Sequence, residues 1–208
     1  MNFNEPLNRI LGQLSKIKIM RFLIRTDLAM NGREIAQTVG LSHVKCHTAL
    51  KELSEQGIVS VRRVGRSNLY ELQTDHIVIR DWLRPLFRKE KELKKHLAEL
   101  LVRRLSFRPE ALIIFGSIAK GKERPDSDID LLCVVSGAGE VKKCEKELIA
   151  AGEEITRLFG NRFAPQVITK KSLLAKSKLG EKFINGVIGN GEGIYGKSIA
   201  EMMSDAAR

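Results

Sequence analysis

The stretch Gly116-Ser117-Ile118-Ala119-Lys120-Gly121, followed by Ser127-Asp128-Ile129-Asp130-Leu131-Leu132, constrains the fold more than any other part of this 208-residue chain. The apolar run from Ala111 to Phe115 reads as a buried strand ending at a Gly-Ser turn, where backbone N–H groups at a helix start can face an anion. Asp128 and Asp130 follow with the period of a strand, so their side chains share a face, roughly 6.5 to 7 Å apart along the backbone. Two carboxylates placed this way can share one divalent cation. Oxygen ligands favour a hard metal, and that metal neutralises phosphate charge, so the expected ligand is a nucleoside triphosphate with Mg²⁺. Capping of a turn begun by Pro125 and Asp126 accounts for Asp128, but for neither Asp130 nor the strand and turn before it.

The whole pattern, Gly-Ser-x₃-Gly-x₅-Ser-Asp-Ile-Asp, resembles the signature of the DNA polymerase β-like nucleotidyltransferase superfamily, especially its small prokaryotic members. The resemblance implies a nucleotidyltransferase core over about residues 108–196, with Asp128 and Asp130 as catalytic and metal-binding residues. Gly116, Ser117 and Lys120 are implied as nucleotide contacts, with Lys122 and Arg124 as further candidates for phosphate charge. Active members also use a third carboxylate on the strand after the next helix, so that three acids hold two metals. Here that segment is Phe163-Ala164-Pro165-Gln166-Val167-Ile168, and the expected position holds Gln166. An amide offers an oxygen but no negative charge, so the catalytic metal is expected to be weakly held. Glu110, Glu123 and Asp126 remain as candidates for the missing acid.

The formal net charge is +11, and its distribution says more than its total. Residues 1–75 carry 11 Lys/Arg against 7 Asp/Glu, residues 76–108 carry 10 against 4, and residues 109–208 carry 15 against 14. The excess therefore lies in the first half, which points to a polyanionic partner there. In that half, Ile17, Met20, Leu23 and Ile24 mark a helix. Asn31, three residues before Glu34, opens a second helix with a capping-box pattern, and Gly40 ends it. Ser42 caps a third, whose inner stripe is Cys46, Leu50 and Leu53. Strands Ile58 to Arg62 and Ser67 to Leu72 follow, with Arg62, Arg63 and Arg66 around Gly65. This order resembles the winged helix-turn-helix of bacterial and archaeal regulators, including the arsenic-repressor-like group. The resemblance implies that His43, Lys45, His47, Thr48 and Lys51, with Val44, face the major groove of double-stranded DNA while the wing arginines contact phosphate or minor groove. His43 and His47 also have a spacing that zinc can use, but Cys46 between them falls on the buried stripe.

Leu83, Leu86, Leu93, Leu97 and Leu100 form one helical face in a charged segment, and Pro85 suits a helix start. Such a helix can pair with its twin in a homodimer, or pack its stripe on the chain's own second domain. Further on, Val141, Cys144, Leu148, Ile155 and Leu158 mark an amphipathic helix, Phe163 to Thr169 a strand, Leu173 to Val187 two short helices, and Gly193 to Gly196 a last strand. The three cysteines form no CxxC pair and are expected as reduced thiols. No apolar run is long enough to span a bilayer and the start lacks a signal-peptide pattern, so a cytoplasmic protein is expected. The sequence thus predicts an α/β protein of two domains: a winged helix at 1–75, a connector or dimerisation helix at 76–107 and a nucleotidyltransferase-like domain at 108–208. The expected function is a DNA-binding transcription regulator whose second domain binds nucleotide. The alternative is an enzyme transferring a nucleoside monophosphate to a protein or small-molecule hydroxyl.

Overall fold

The computed structural model describes residue 1 and residues 3–204, and the chain divides into two compact units, Met1–Lys91 and Glu92–Arg208. In the first unit, α1 (Pro6–Leu11) and α2 (Leu14–Thr26) precede a two-residue strand β1 (Met30–Asn31), then α3 (Gly32–Val39) and α4 (His43–Glu55). Strands β2 (Val59–Val64) and β3 (Ser67–Leu72) form an antiparallel hairpin, and β1 adds to it in the order β1-β3-β2. The capping box is complete: Asn31 Oδ1 accepts from the N–H groups of Arg33 and Glu34, and Glu34 accepts from the N–H of Asn31. Ser42 Oγ accepts from Lys45 N–H, closing the first turn of α4. Cys46, Leu50 and Leu53 are fully buried with Ile19, Met20, Leu23 and Ile35, so α4 presents its other side outward. This is a winged helix-turn-helix.

A π-helical turn, Val78–Leu83, and α5 (Arg84–Lys91) complete the first unit, with Val78, Ile79, Leu83 and Phe87 in its core. α6 (Leu93–Arg104) opens the second unit. The segment expected as one connector helix is therefore broken at Glu92, and the leucine stripe is divided between two cores. Leu83 packs in the first and Leu97 in the second, whereas Leu86 and Leu93 stay 53% and 58% exposed.

The second unit is built on a mixed sheet of order β6-β5-β4-β7. Strand β4 (Ala111–Ile114) leads through a four-residue helix, α7 (Gly116–Ala119), and a loop to β5 (Ile129–Val135). The long helix α8 (Ala138–Phe159) crosses to β6 (Phe163–Thr169), parallel to β5, while β4 is antiparallel to both β5 and β7 (Glu192–Gly196). Helices α9 (Lys170–Lys178), α10 (Lys182–Asn190) and α11 (Ile199–Ser204) complete the unit. Strand β5 is central and apolar on both faces. Ile129, Leu131, Cys133 and Val135 pack with Leu97, Leu101, Leu148 and Ile155, and Leu132 and Val134 pack with Leu173, Ile184, Val187 and Met202. The last helix lies where the sequence carries no clear signal, yet its Met202 is fully buried.

One charged side chain is buried among the described residues. Lys16 is 3% exposed, donates to the Arg9 carbonyl at 2.7 Å and pairs with Glu52 at 2.5 Å. Removing one partner of such a pair leaves an uncompensated charge, whereas replacing the charge by an apolar chain of similar length removes the desolvation cost as well. Glu52→Ala should therefore destabilise the protein by about 1–3 kcal/mol, below the fully enclosed case because Glu52 is partly exposed to water. Lys16→Met should cost less than Glu52→Ala in urea unfolding, and the opposite order would contradict this reading of the pair.

Candidate functional site

The paired acids lie at one end of the central strand. Asp128 ends the loop and Asp130 is the second residue of β5; both are partly exposed. Phe115 N–H donates to the Asp130 carbonyl at 3.0 Å, which ties the start of β5 to the turn entering α7. Gly116 has φ +73°, and a Cβ built there would stand 2.0 Å from Asp130 Oδ2. Only glycine fits, for both conformational and steric reasons. Ser117 follows in the first turn of α7 and is partly exposed, and Lys120 at its C-cap is exposed. The Asp130 carboxyl is pushed above its usual range, first by burial and then by the Asp128 charge. Lys122 and Arg124 are also exposed, in the loop before Asp128.

Across the sheet, Asp130 is registered with Ala164 and Leu132 with Gln166. Strand alternation puts Ala164 and Gln166 on the same face as Asp130, with Gln166 one repeat further along. Neither is an acid. Glu110 cannot substitute, because its N–H pairs with Val134 O at the far end of β5, about 13 Å from Asp130 by strand rise. Its carboxylate is held there by Ser136 Oγ at 2.9 Å and by Lys197 at 3.5 Å, and these partners keep it below the usual carboxylate range. Glu123 and Asp126 are exposed loop residues, and among the described residues no group of three or more His, Cys, Asp and Glu side chains is placed to hold a metal. Two neighbouring carboxylates fit one hydrated Mg²⁺ shared with phosphate, since that ion is commonly held by one or two protein acids.

A nucleotidyltransferase-domain family model matches residues 77–181, just over half of the chain. The chain belongs to that family. No curated protein matches it. Among solved structures, a toxin–antitoxin crystal structure with AMP-PNP is 14% identical, with 55% of this chain and 85% of that one covered and a TM-score of 0.37. The winged helix-turn-helix domain of a possible ArsR-family transcriptional regulator from Mycobacterium bovis is 17% identical, with 50% and 88% covered and a TM-score of 0.33. TrmBL2, an archaeal chromatin protein, is 16% identical, with 86% and 71% covered and a TM-score of 0.30.

The candidate nucleic-acid surface lies in the first unit. His43, Val44, Lys45, His47, Thr48 and Lys51 are all exposed on α4, and Arg62, Arg63 and Arg66 are exposed on the wing. The His43 and His47 rings stack at 6.5 Å, while Cys46 faces inward, its Sγ donating to the Gly32 carbonyl at 3.7 Å. Burial pushes that thiol up to about 11, and its Sγ lies in the core while both histidines are exposed. An open cavity of about 410 Å³ runs from α4 to the wing and is lined by Arg33, His43, His47, Arg66, Asn68 and Tyr70, among others. Arg33, Asn68 and Tyr70 were not expected there. Arg33 lies in the first turn of α3 and Asn68 on β3, so the fold rather than a motif brings them to the same cavity.

Gly121 supplies a control for Gly116, because its φ is +61° but nothing lies within 4 Å of a Cβ built there. Alanine at either position takes on left-handed strain of about 1–2 kcal/mol. Only Gly116→Ala must also displace the Asp130 carboxylate. It should be clearly the more destabilised of the two in urea unfolding, and equal losses would contradict the close approach of Gly116 and Asp130.

Proposed function

We propose that this protein is a DNA-binding transcription regulator whose nucleotidyltransferase-family unit binds a nucleoside triphosphate with a single Mg²⁺ and does not complete nucleotidyl transfer. The observation that carries the reading is the pairing of Asp128 and Asp130 at the start of β5, with Ala164 directly across from Asp130 and Gln166 one repeat further along β6, a metal-ready pair without a third acid beside it. Asp128 and Asp130 would hold the ion, which on binding neutralises triphosphate charge. Gly116 leaves room for the acid and for an approaching phosphate, and Ser117 can donate a hydrogen bond to it. Gln166 can neither add negative charge nor take a proton from an attacking hydroxyl.

Duplex DNA is the partner that best suits the first unit, where the exposed side of α4 and the wing arginines form a basic surface. The cavity between them suits a backbone phosphate, which would bring Arg33 into the contact set. A homodimer belongs to this reading, because paired winged helices address two half-sites. Trp82 and Leu86, one helical turn apart and 47% and 53% exposed, offer an apolar surface for it. Cytoplasmic placement fits a DNA partner, and among the described residues no helix is long and apolar enough to cross a membrane.

An active enzyme that transfers a nucleoside monophosphate to a hydroxyl is the second reading, favoured by the intact Gly116, Ser117, Asp128 and Asp130. Titration calorimetry and a pyrophosphate-release assay separate the two. The unaltered protein should bind nucleotide in a Mg²⁺-dependent way and release no pyrophosphate above background. Asp130→Asn should abolish that binding yet raise the melting temperature, since it removes a desolvated charge beside Asp128. Robust pyrophosphate release by the unaltered protein, lost in Asp130→Asn, would establish the enzyme instead.

DNA binding should weaken steeply with salt, and Arg33→Ala and Arg66→Ala should each flatten the slope of log K against log [salt] by about one phosphate contact. Lys45→Ala should instead change sequence preference. Absence of duplex binding at about 50 mM salt, well inside the range where such contacts are strong, would remove DNA from the account.

A further inference from the structure

The loop carrying Asp128 is fastened at one point by a side chain outside the family signature. Asn161, partly buried in the turn between α8 and β6, donates from Nδ2 to the Ser127 carbonyl at 2.8 Å and to the Pro125 carbonyl at 3.4 Å. Within the loop, Arg124 N–H donates to Ser127 Oγ at 2.8 Å and Ser127 N–H to the Arg124 carbonyl at 3.0 Å, closing a tight turn. On the other side of Asp128, Ile129 N–H donates to the Arg162 carbonyl at 2.8 Å. The residue pair Asn161-Arg162 thus grips the chain immediately before and immediately after Asp128.

The role needs an amide. One nitrogen with two hydrogens can serve two carbonyls at once, whereas a carboxylate in its place has no proton to give and would face two carbonyl oxygens. Loops without such ties sample many backbone states, and Asp128 lies on a segment whose Lys122, Glu123, Arg124, Pro125 and Asp126 are all exposed. We infer that Asn161 is a positioning residue for metal-dependent nucleotide binding: its amide holds Ser127 so that the Asp128 carboxylate is presented beside Asp130 before the ion arrives. Preorganisation of this kind raises affinity by removing an ordering cost from the binding step. The inference rests on the proposal that Asp128 and Asp130 bind Mg²⁺ with a nucleoside triphosphate.

The test uses the full-length protein, the imido analogue of ATP as nucleotide, and Mg²⁺. Two measurements are made on the unaltered chain, Asn161→Ala and Asn161→Asp: the Mg²⁺ concentration that half-saturates nucleotide binding, and amide hydrogen exchange over residues 122–130 in the free protein. In both variants loop exchange should accelerate about tenfold and the Mg²⁺ midpoint should rise about tenfold. Weak binding of the analogue in EDTA should be unchanged, because the phosphate-facing turn at Gly116 and Ser117 is not touched by Asn161. Faster exchange with an unmoved Mg²⁺ midpoint would make Asn161 a purely structural staple and overturn the inference, as would unchanged exchange in Asn161→Ala. If the unaltered protein shows no Mg²⁺-dependent binding, the metal-site reading itself fails and the inference falls with it; that outcome is recognised before any variant is compared.

Discussion

The approach of the Asp130 carboxylate to the Gly116 backbone is the contact on which the second unit's chemistry depends. It requires a residue without a side chain, in a left-handed conformation, at the end of β4, and an acid near the start of the antiparallel partner β5. Hydrogen bonding of Phe115 N–H to the Asp130 carbonyl keeps these two chain ends together, so turn and acid cannot move independently. The site is then set by the sheet, not by a mobile loop. Asp128 is the exception, because it stands one residue before the strand and owes its placement to the turn that Asn161 fastens.

Holding Asp130 charged is unfavourable, first because it is partly buried and then because Asp128 stands beside it, and both push its carboxyl upward. The cost is carried by a sheet whose central strand is buried on both faces. Residues 131 to 135 alternate between two apolar clusters, each closed by helices, and this leaves Asp130 as the polar break in an otherwise apolar strand. Strain and charge concentrated at one end of a rigid element are what a ligand site requires. The first unit works differently. Its core fixes α3, α4 and the hairpin, and the exposed basic side chains add little to folding, so they are available for a polyanion.

Much of this was legible in the chain before folding. The capping residues Asn31 and Ser42 and the inward stripe of Cys46, Leu50 and Leu53 each obey a local rule, and each stands where the rule puts it; of the period-two acids only Asp130 is on the strand, Asp128 standing in the loop before it. What escaped depends on contacts between distant segments. The leucines from 83 to 100 read as one helical face, but the interval of seven between Leu86 and Leu93 hides a break at Glu92, and the two halves serve different cores. Residues 197–204 carry no strong period, yet Met202 closes an apolar cluster. Gln166 was read as standing at the missing acid's position; the register adds that Ala164, not Gln166, lies directly across from Asp130. Arg33 and Asn161 belong to no motif, because their partners are reached only through the fold.

Counting the metal ions in the occupied site tests the central claim most directly. Crystals grown with a non-hydrolysable nucleoside triphosphate and Mn²⁺ in place of Mg²⁺ would locate each ion by its anomalous scattering. The account predicts a single ion, bound by Asp128 and Asp130 and by the triphosphate. Two ions, with Gln166 or a loop acid completing the second, would contradict it and restore a two-metal transfer site.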